Sequence, residues 1–373
     1  MDYIKDLKDY KTKCVRIQGL KKLVTVGVQT PWPIKIISDK GFEGYKKNGK
    51  LSDEFKKEVI KVFNGIREKN PHRGVYAGRA YYVSGIKNPP GPRSSSVWSS
   101  KIILQEVKKL YDFAIESKFD KRKNAEIGVI FYPFINAGDP VPDKKLPELQ
   151  FPGGCVTPKR ETIVIEALFG ADEGVQSFAH DSYIVDLEKM EIKSKDIRHK
   201  EKSLRATNEL TYETIKVPVE YRDEQALKDE VIISIAKDFQ KVIKKYGPHR
   251  LEFIQQPEGV IFRECVEFEL QEQAKVSLKG KVKVIKNEAD LKSLKKDDKV
   301  VFVHPLVIRN RNMDLLTDLC FESPNKLVVL FPGSASTAHA GILLRERGHE
   351  IIYIGQKMFK DGQMIILKKG EVA

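Results

Sequence analysis

The run Phe331-Pro-Gly-Ser-Ala-Ser-Thr-Ala-His-Ala-Gly-Ile-Leu-Leu-Arg-Glu-Arg-Gly348 predicts more about this chain than any other part of its sequence. It begins at the end of an apolar, strand-like segment, 326–331, and passes through a turn of small residues into a helical segment. Gly348 suits the end of that helix, because glycine readily adopts the left-handed conformation of a C-cap. The run therefore predicts a strand, a turn and a helix, and a second strand follows over 350–354.

His339 lies in the first turn of this predicted helix. A helix N-terminus offers unpaired backbone N–H groups and the positive end of the helix dipole, and both attract anions. An imidazole in that place can attack phosphorus and hold the resulting phosphohistidine against those N–H groups. A histidine that merely fills the start of a helix would show the same pattern, so position alone leaves both interpretations open.

The order of residues around His339 resembles the phosphohistidine domain of the phosphoenolpyruvate synthase and pyruvate phosphate dikinase family. That family reads Gly-Gly-x-Thr-Ser/Cys-His-Ala-Ala, then Ala-Arg-Glu-Leu-Gly-Ile-Pro-Ala and a closing glycine. Thr337 and His339 match this pattern. Three positions depart from it: Ser334, Ala338 and Gly341. The resemblance implies that His339 carries the phosphoryl group and that Thr337 hydrogen-bonds it.

Length and composition indicate a globular protein with two or three packed units. Of its 373 residues, 41% are hydrophobic and 32% are charged. No apolar run approaches the roughly 20 residues of a membrane span, and the N-terminus lacks an apolar signal-peptide core. These features predict a cytoplasmic protein without a membrane partner. The 4 cysteines are far apart and form no C-x-x-C pair, so neither a disulfide framework nor a zinc knuckle is expected.

The net charge of +14 would attract polyanions or phosphorylated substrates. However, lysines are spread along the whole chain among acidic residues, and neither a compact arginine block nor an RNA-binding aromatic motif is present. The charge pattern therefore favours a solvated basic surface. Nucleic acid is not expected as a partner, although net charge by itself would allow it.

Two glutamates fall in a predicted hairpin, in which strands 251–255 and 260–270 flank a turn. With a strand period of two, Glu264 is predicted on the face of Phe262, among apolar side chains, and Glu252 lies in the partner strand. A buried carboxylate needs a cation or a proton, and two carboxylates on adjacent strands suit Mg²⁺ beside a nucleotide. Glutamates at the rim of a sheet, paired with lysine or arginine, would show the same pattern.

The hairpin also resembles the end of the family's nucleotide-binding domain, an ATP-grasp domain. The family reads Asp-Ile-Glu-Trp, a short turn and Ile-Leu-Gln-x-Arg-Pro. Glu252 matches its metal-binding glutamate, and Glu264 falls at its metal-binding glutamine. Glu173 closes the run 166–173, which is similar to the family's Glu-Ala-x-x-Gly-Leu-Gly-Glu. The resemblance implies that Glu252 and Glu264 bind Mg²⁺ and that Glu173 contributes to the ATP site.

Lys21 and Arg79 are the phosphate-binding residues that the resemblance implies. The run Gly19-Leu20-Lys21 is similar to a shortened form of the family's Gly-Gly-Lys, and Lys22 is the neighbouring alternative. A solvent-facing lysine pair would look the same. Arg79 suits the family's phosphate-contacting arginine by its distance to the next predicted strand, whereas Arg93 matches the family's Arg-Ser-Ser by its letters.

The predicted architecture is of the α/β (α+β) class. It consists of an ATP-grasp-like nucleotide-binding domain over residues 1–270, a linker over 271–281 and a small swivelling α/β phosphohistidine domain over 282–373. The first domain is expected to have subdomains of about 1–110 and 111–270. The family's barrel that binds phosphoenolpyruvate or pyruvate has no expected counterpart here.

The predicted function is that of an ATP-dependent, dikinase-like phosphotransferase. Such an enzyme phosphorylates its own His339 from Mg-ATP, releases AMP and passes the phosphoryl group to an acceptor. The acceptor is either a small molecule or a separate protein. The alternative is a nucleotide-binding regulatory protein of the same fold that has lost turnover. The sequence predicts no oligomeric state.

Overall fold

The computed structural model describes most of the chain. The residues outside its description are 1–2, 87–88, 90, 93–95, 136–149, 160, 177, 207–211, 269–276, 310–314, 316–317, 320–322, 324, 332–343, 345–347, 355–356, 369–370 and 373. Two compact units make up the chain: Met1–Asp172 with His180–Phe268, and Glu173–Ala179 with Glu269–Ala373. In the described part, no helix is long and apolar enough to cross a membrane.

The first unit begins with an antiparallel sheet of four strands in the order β1-β2-β4-β3. The strands are β1 (Ile4–Asp6), β2 (Lys35–Ile37), β3 (Val75–Tyr82) and β4 (Glu126–Pro133). The helices of this part are α1 (Val15–Thr25), α2 (Asp39–Asn48), α3 (Asp53–Lys69) and α4 (Ser100–Glu116). Ser52 caps α3: its side chain accepts a hydrogen bond from the Phe55 amide at 3.2 Å.

A second antiparallel sheet of the first unit has six strands in the order β12-β11-β5-β6-β7-β8. These are β5 (Pro152–Lys159), β6 (Thr162–Phe169), β7 (Asp181–Asp186), β8 (Glu191–Asp196), β11 (His249–Gln256) and β12 (Gly259–Glu267). A separate hairpin pairs β9 (Lys202–Ala206) with β10 (Tyr212–Lys216). Helix α5 (Asp229–Tyr246) packs its apolar stripe against the sheet and completes the main core.

The second unit contains a sheet of six strands in the order β16-β15-β14-β13-β17-β18. They are β13 (Leu278–Ile285), β14 (Val300–Val303), β15 (Val328–Phe331), β16 (Glu350–Tyr353), β17 (Met364–Lys368) and β18 (Glu371–Val372). Strands β13 to β16 are parallel, and β17 and β18 are antiparallel additions. Two short helices, α6 (Glu288–Lys292) and α7 (Pro305–Arg309), are also described.

The mixture of helices with antiparallel and parallel strands confirms the predicted α/β (α+β) class. Strands β15 and β16 confirm the two strands predicted on either side of the opening run. Gly348 between them has φ 83°, the left-handed conformation that its predicted place at a helix end requires. Strand β13 begins at Leu278, inside the segment predicted as a linker. The predicted domain boundaries themselves stay a prediction.

Candidate functional site

Four polar side chains form a row across the six-stranded sheet, which we call the polar row. Glu264 in β12 pairs with Glu252 in β11, Glu252 pairs with Cys155 in β5, and Cys155 pairs with Glu166 in β6. Their strand neighbours belong to the main core: Cys265, Leu251, Val156 and Ile165. Because successive strand residues point to opposite faces, the polar row lies together on the face opposite the main core.

A β-bulge places Glu264 on this face. The register shifts after Glu252, so that Glu252 pairs with Glu264 and Arg263 is left as the extra residue of β12. The extra residue moves the alternation by one position, and Cys265 joins Phe262 in the main core. The strict period of two, which predicts Glu264 on the face of Phe262, is therefore wrong beyond the bulge.

Glu252 and Glu264 share their surroundings with two arginines. Arg250 Nη2 donates to Glu252 Oε1 at 2.7 Å, and Arg16 Nη2 lies 3.6 Å from Glu264 Oε1. Only 14% of the Glu252 side chain and 11% of the Glu264 side chain are exposed. Two carboxylates and two guanidinium groups thus lie together in a largely buried region.

The two carboxyl groups differ in their affinity for a proton. Burial, followed by the charge of Glu264, raises the pKa of Glu252 to about 7. Burial also acts to raise the pKa of Glu264, but Arg16 and a hydrogen bond with Glu252 outweigh it, so that this pKa lies far below its usual range.

Arg16 is a site residue that the sequence analysis missed. It continues the buried stripe of Leu20 and Leu23 on α1, at helical spacings of four and seven residues. A basic residue on an apolar stripe is the signal that could have identified it. Helix α1 can approach β12, and so bring Arg16 near Glu264, because Gly19 has no side chain at the contact. A Cβ atom on Gly19 would stand 1.9 Å from the carbonyl oxygen of Cys265.

Arg16 is held by aromatic residues as well as by Glu264. Its Nη1 donates to the Tyr76 hydroxyl, and its guanidinium carbon lies 5.8 Å from the centre of the Tyr76 ring. The Tyr76 ring stacks on Tyr132 in the neighbouring strand, with ring centres 4.5 Å apart. These contacts restrict the guanidinium group to the side of Glu264.

Lys21, the predicted phosphate lysine, contacts backbone oxygens. Its Nζ donates to the carbonyl oxygen of Tyr10 at 2.5 Å and to that of Lys8 at 3.4 Å. Lys22 instead lies 2.9 Å from His249 Nε2 and forms an ion pair with Glu267 at 3.1 Å. The phosphate-binding role of Lys21 stays a prediction, and these contacts do not bring it to the polar row.

Arg79 lies in β3, near enough to Glu264 for its charge to contribute to the lowered pKa of that carboxyl group. Its Nε donates to the carbonyl oxygen of Pro89 at 2.6 Å, and its Nη1 lies 3.5 Å from the carbonyl oxygen of Gly91. The structure therefore associates Arg79 with the carboxylate pair. Arg93, the other candidate, lies outside the described residues.

Of the remaining predicted site residues, Glu173 lies in the described part of the chain, and His339 and Thr337 do not. Glu173 is half-buried in a single 3₁₀ turn, Asp172–Gln176. Asp172 before it accepts a hydrogen bond from Arg263 Nε at 2.9 Å, so the extra residue of the bulge has a carboxylate partner. His339 and Thr337 lie outside the described residues, and their roles stay predictions.

The far end of the polar row reaches a histidine. Cys155 Sγ donates to Glu166 Oε2 at 3.6 Å, and His180 Nε2 lies 3.4 Å from Glu166 Oε1. The Glu166 side chain has no exposed surface. Glu166 is therefore a buried carboxylate that links β5 and β6 to the start of β7.

The carboxylate pair suits Mg²⁺ only in combination with a phosphate ligand. Mg²⁺ prefers oxygen ligands and commonly takes one or two carboxylates together with water and substrate phosphates. Glu252 and Glu264 supply two such groups from adjacent strands. Within the described ranges, no cluster of three or more His, Cys, Asp or Glu residues could hold a metal. A bound nucleotide would therefore have to supply the remaining ligands.

Comparison with known proteins finds a family that matches the segment in which the polar row lies. Residues 151–267 match the family of the AMP/ATP-binding domain of pyruvate phosphate dikinase. The probable phosphoenolpyruvate synthases of Pyrococcus horikoshii and Pyrococcus abyssi are 29% and 28% identical to the chain over 232 residues. The matches cover 54% of this chain and 27% of each relative, so the chain spans about a quarter of their length. The predicted resemblance to this family is confirmed over the matched segment.

Solved structures show a weaker likeness. The D-alanine–D-alanine ligase of Bacillus anthracis superposes with a TM-score of 0.32 at 10% identity, over 70% of this chain and 59% of the ligase. Acetyl-coenzyme A synthetase 1 of Candidatus Korarchaeum cryptofilum superposes with a TM-score of 0.33 at 11% identity, over 66% of this chain and 96% of the synthetase. The relation to nucleotide-binding domains rests on the family match.

Proposed function

Because residues 151–267 carry an AMP/ATP-binding domain of the pyruvate phosphate dikinase type, we propose that this protein is an ATP-dependent, dikinase-like phosphotransferase. The observation that carries the proposal is the pairing of Glu252 with Glu264 inside the matched segment, beside Arg16 and Arg250. Carboxylates for a metal and guanidinium groups for phosphates are the two kinds of group that a Mg-ATP site needs.

In this proposal, the face that carries the polar row binds the triphosphate. Glu252 and Glu264 hold Mg²⁺, which when bound neutralises charge on the phosphates. Arg16 in α1 and Arg79 in β3 contribute positive charge near Glu264, and the family resemblance adds Lys21 and Glu173 as contributors to ATP binding. Because the side chains around Glu264 are largely buried, their charges act on the phosphates with little screening by water.

His339 is the proposed acceptor of the first transfer. A lone pair of its imidazole attacks the β-phosphorus, the bond from that phosphorus to the oxygen of AMP breaks, and AMP leaves with the electron pair. The β- and γ-phosphates stay on the histidine as a pyrophosphoryl group, to which the Thr337 hydroxyl donates a hydrogen bond. Attack of water on the γ-phosphorus then breaks the bond to the bridging oxygen, releases inorganic phosphate and leaves the β-phosphoryl group on His339. The second transfer goes to a small molecule or to a separate protein. Support comes from the resemblance of the opening run to the family's phosphohistidine motif.

Incubation with Mg²⁺ and ATP labelled in its β-phosphate tests the proposal. We expect label on the protein that is labile in acid and stable in alkali, as a phosphohistidine is, together with the formation of AMP. His339→Ala should abolish the label, whereas His72→Ala, which removes an exposed histidine of the first unit, should not change it. Equal labelling of His339→Ala and the unmodified protein would refute the mechanism.

A nucleotide-binding regulatory protein is the second candidate, and one observation favours it. Arg250 and Arg16 already form ion pairs with Glu252 and Glu264 within the protein. A site of this kind could bind nucleotide without turnover. Binding of ATP without label and without AMP, under the conditions above, would support this candidate over the phosphotransferase.

A further inference from the structure

Arg250 pairs with Glu252, the glutamate that the proposed function takes as a metal ligand. It lies two residues before Glu252 in β11, on the same face of the sheet, and its Nη2 donates to Glu252 Oε1 at 2.7 Å. Only 9% of its side chain is exposed. A guanidinium group at this distance from a largely buried carboxylate is the carboxylate's counter-ion, and burial makes the attraction stronger than it would be in water.

The hydrogen bonds of Arg250 are incomplete. Its Nε is buried and has no hydrogen-bond acceptor among the residues that the structure describes. A buried N–H group without an acceptor is costly, and a guanidinium group can serve a carboxylate and a phosphate with the same planar set of donors. Arg250 therefore has the capacity to exchange one oxygen partner for another and to gain a hydrogen bond by doing so.

A divalent cation on Glu252 conflicts with Arg250 in its present position. The cation and the guanidinium group would compete for the same carboxylate oxygen and would repel each other in a largely buried site. A nucleotide removes the conflict, because its phosphates offer oxygen acceptors to Arg250 and additional ligands to the metal. Arg250 and Arg16 already pair with Glu252 and Glu264, so either ligand alone would disturb these pairs, whereas the two ligands together bring charges of both signs.

We propose that Arg250 couples metal binding to nucleotide binding: it holds Glu252 in the ligand-free protein and moves to a phosphate of the nucleotide when a divalent cation binds. This inference rests on the proposed function, because it takes Glu252 as a metal ligand and the polar row as part of a nucleotide site. Its consequence is that neither ligand binds well alone. The site would thereby reject free divalent cations and select the metal–nucleotide complex.

The test measures equilibrium binding and needs no phosphoryl transfer. Mn²⁺ serves as the metal, and the nucleotide is an ATP analogue with a methylene bridge between its α- and β-phosphates, from which AMP cannot leave. Calorimetry gives the affinity of each ligand alone and in the presence of the other. In the unmodified protein we expect each ligand to tighten the other by the same factor, about tenfold or more, since coupling of binding free energies is reciprocal.

Arg250→Met should tighten Mn²⁺ binding in the absence of nucleotide and weaken binding of the metal-free nucleotide. The coupling factor should fall by about tenfold, within the usual range of such couplings. Arg250→Lys keeps the charge without the planar set of donors, so its coupling factor should lie between those of the unmodified protein and Arg250→Met. Arg205→Met is the matched control, because it removes another arginine that bonds a glutamate in the first unit, Glu213, at 2.7 Å.

The outcomes separate this inference from the function on which it rests. If Arg250→Met binds Mn²⁺ no better than the unmodified protein and keeps the full coupling factor, Arg250 has only a structural role and the inference is wrong. The phosphotransferase proposal would survive that result. If the unmodified protein binds neither Mn²⁺ nor the analogue, both are overturned, and labelling of His339 should then also fail.

Discussion

The ion pair between Lys200 and Asp181 allows a strong prediction about stability. Neither side chain has any exposed surface, and Lys200 Nζ donates to Asp181 Oδ1 at 2.6 Å. Asp181 also accepts hydrogen bonds from the Ala226 amide at 2.7 Å and from the Tyr183 hydroxyl at 3.0 Å. The carboxylate thereby joins β7 to the segment that leads into α5, and Lys200 is the cation that balances it.

Lys200→Met should lower the free energy of unfolding by about 3–5 kcal/mol, because it leaves a buried carboxylate without its counter-ion. The neutral hydrogen bonds that remain on Asp181 do not replace a full positive charge. Lys195→Met is the comparison: it removes a partly exposed lysine that pairs with Asp229, and such pairs contribute at most about 1 kcal/mol. Changing Asp181 to Asn as well as Lys200 to Met should recover part of the loss, because no charge then remains to be compensated.

Urea unfolding, followed by circular dichroism and by fluorescence, measures these differences if the two signals coincide. Nucleotide binding by the folded fraction should be unchanged in Lys200→Met, because neither Asp181 nor Lys200 belongs to the polar row. A loss below about 1 kcal/mol, equal to that of Lys195→Met, would refute the reasoning that burial sets the cost. A loss of nucleotide binding in the fully folded variant would show that the pair acts on the site.

Three further predictions concern the hairpin and α1. Glu252→Gln should weaken binding of Mg-ATP more than binding of metal-free ATP in calorimetry, and equal losses would indicate a structural glutamate. Burial, assisted by a nearby lysine, lowers the pKa of His249, so the unfolded chain binds the proton more tightly. Its contribution to stability is complete above the unfolded pKa of about 6.5 and is lost as the pH falls through the lower folded value. The urea midpoints measured above and below this pH range should therefore differ less in His249→Gln than in the unmodified protein. Gly19→Ala should destabilise the protein by about 1–3 kcal/mol, because its Cβ would meet the carbonyl oxygen of Cys265 at 1.9 Å. Gly65→Ala in α3, where a Cβ meets nothing within 4 Å, should instead stabilise it by about 0.5–1 kcal/mol, and similar unfolding midpoints for both variants would contradict this account.

Much of the secondary structure follows from local patterns in the sequence. The stripe of α5 and the capping serine of α3 are local features, since a helix repeats every 3.6 residues and a cap acts within one turn. The strands β15 and β16 are continuous apolar runs, as buried parallel strands are. The order of motifs likewise predicted the resemblance to the family whose model matches residues 151–267, because a family's motifs can be recognised in the sequence without knowledge of the fold.

The composition of the site was only partly predictable. Glu252 and Glu264 were identified from the sequence, and the structure pairs them across the hairpin. Arg79 also lies near this pair, whereas Lys21 bonds to backbone oxygens elsewhere. Arg16 was missed because it is separated from Glu264 by most of the first unit's sequence, and no local pattern reports such a distance.

The sequence by itself predicted the strands β15 and β16, the hairpin that carries Glu252 and Glu264, and the resemblance to the family whose model matches residues 151–267. Only the tertiary structure decided the face on which Glu264 lies, because one extra residue, Arg263, changes the alternation and is invisible to a period of two. It also decided that Arg16 accompanies the carboxylates. Buried charges must be balanced by neighbours in space. Arg250 lies two residues from Glu252 in the same strand, whereas Arg16 comes from α1, which only the packed chain brings to β12.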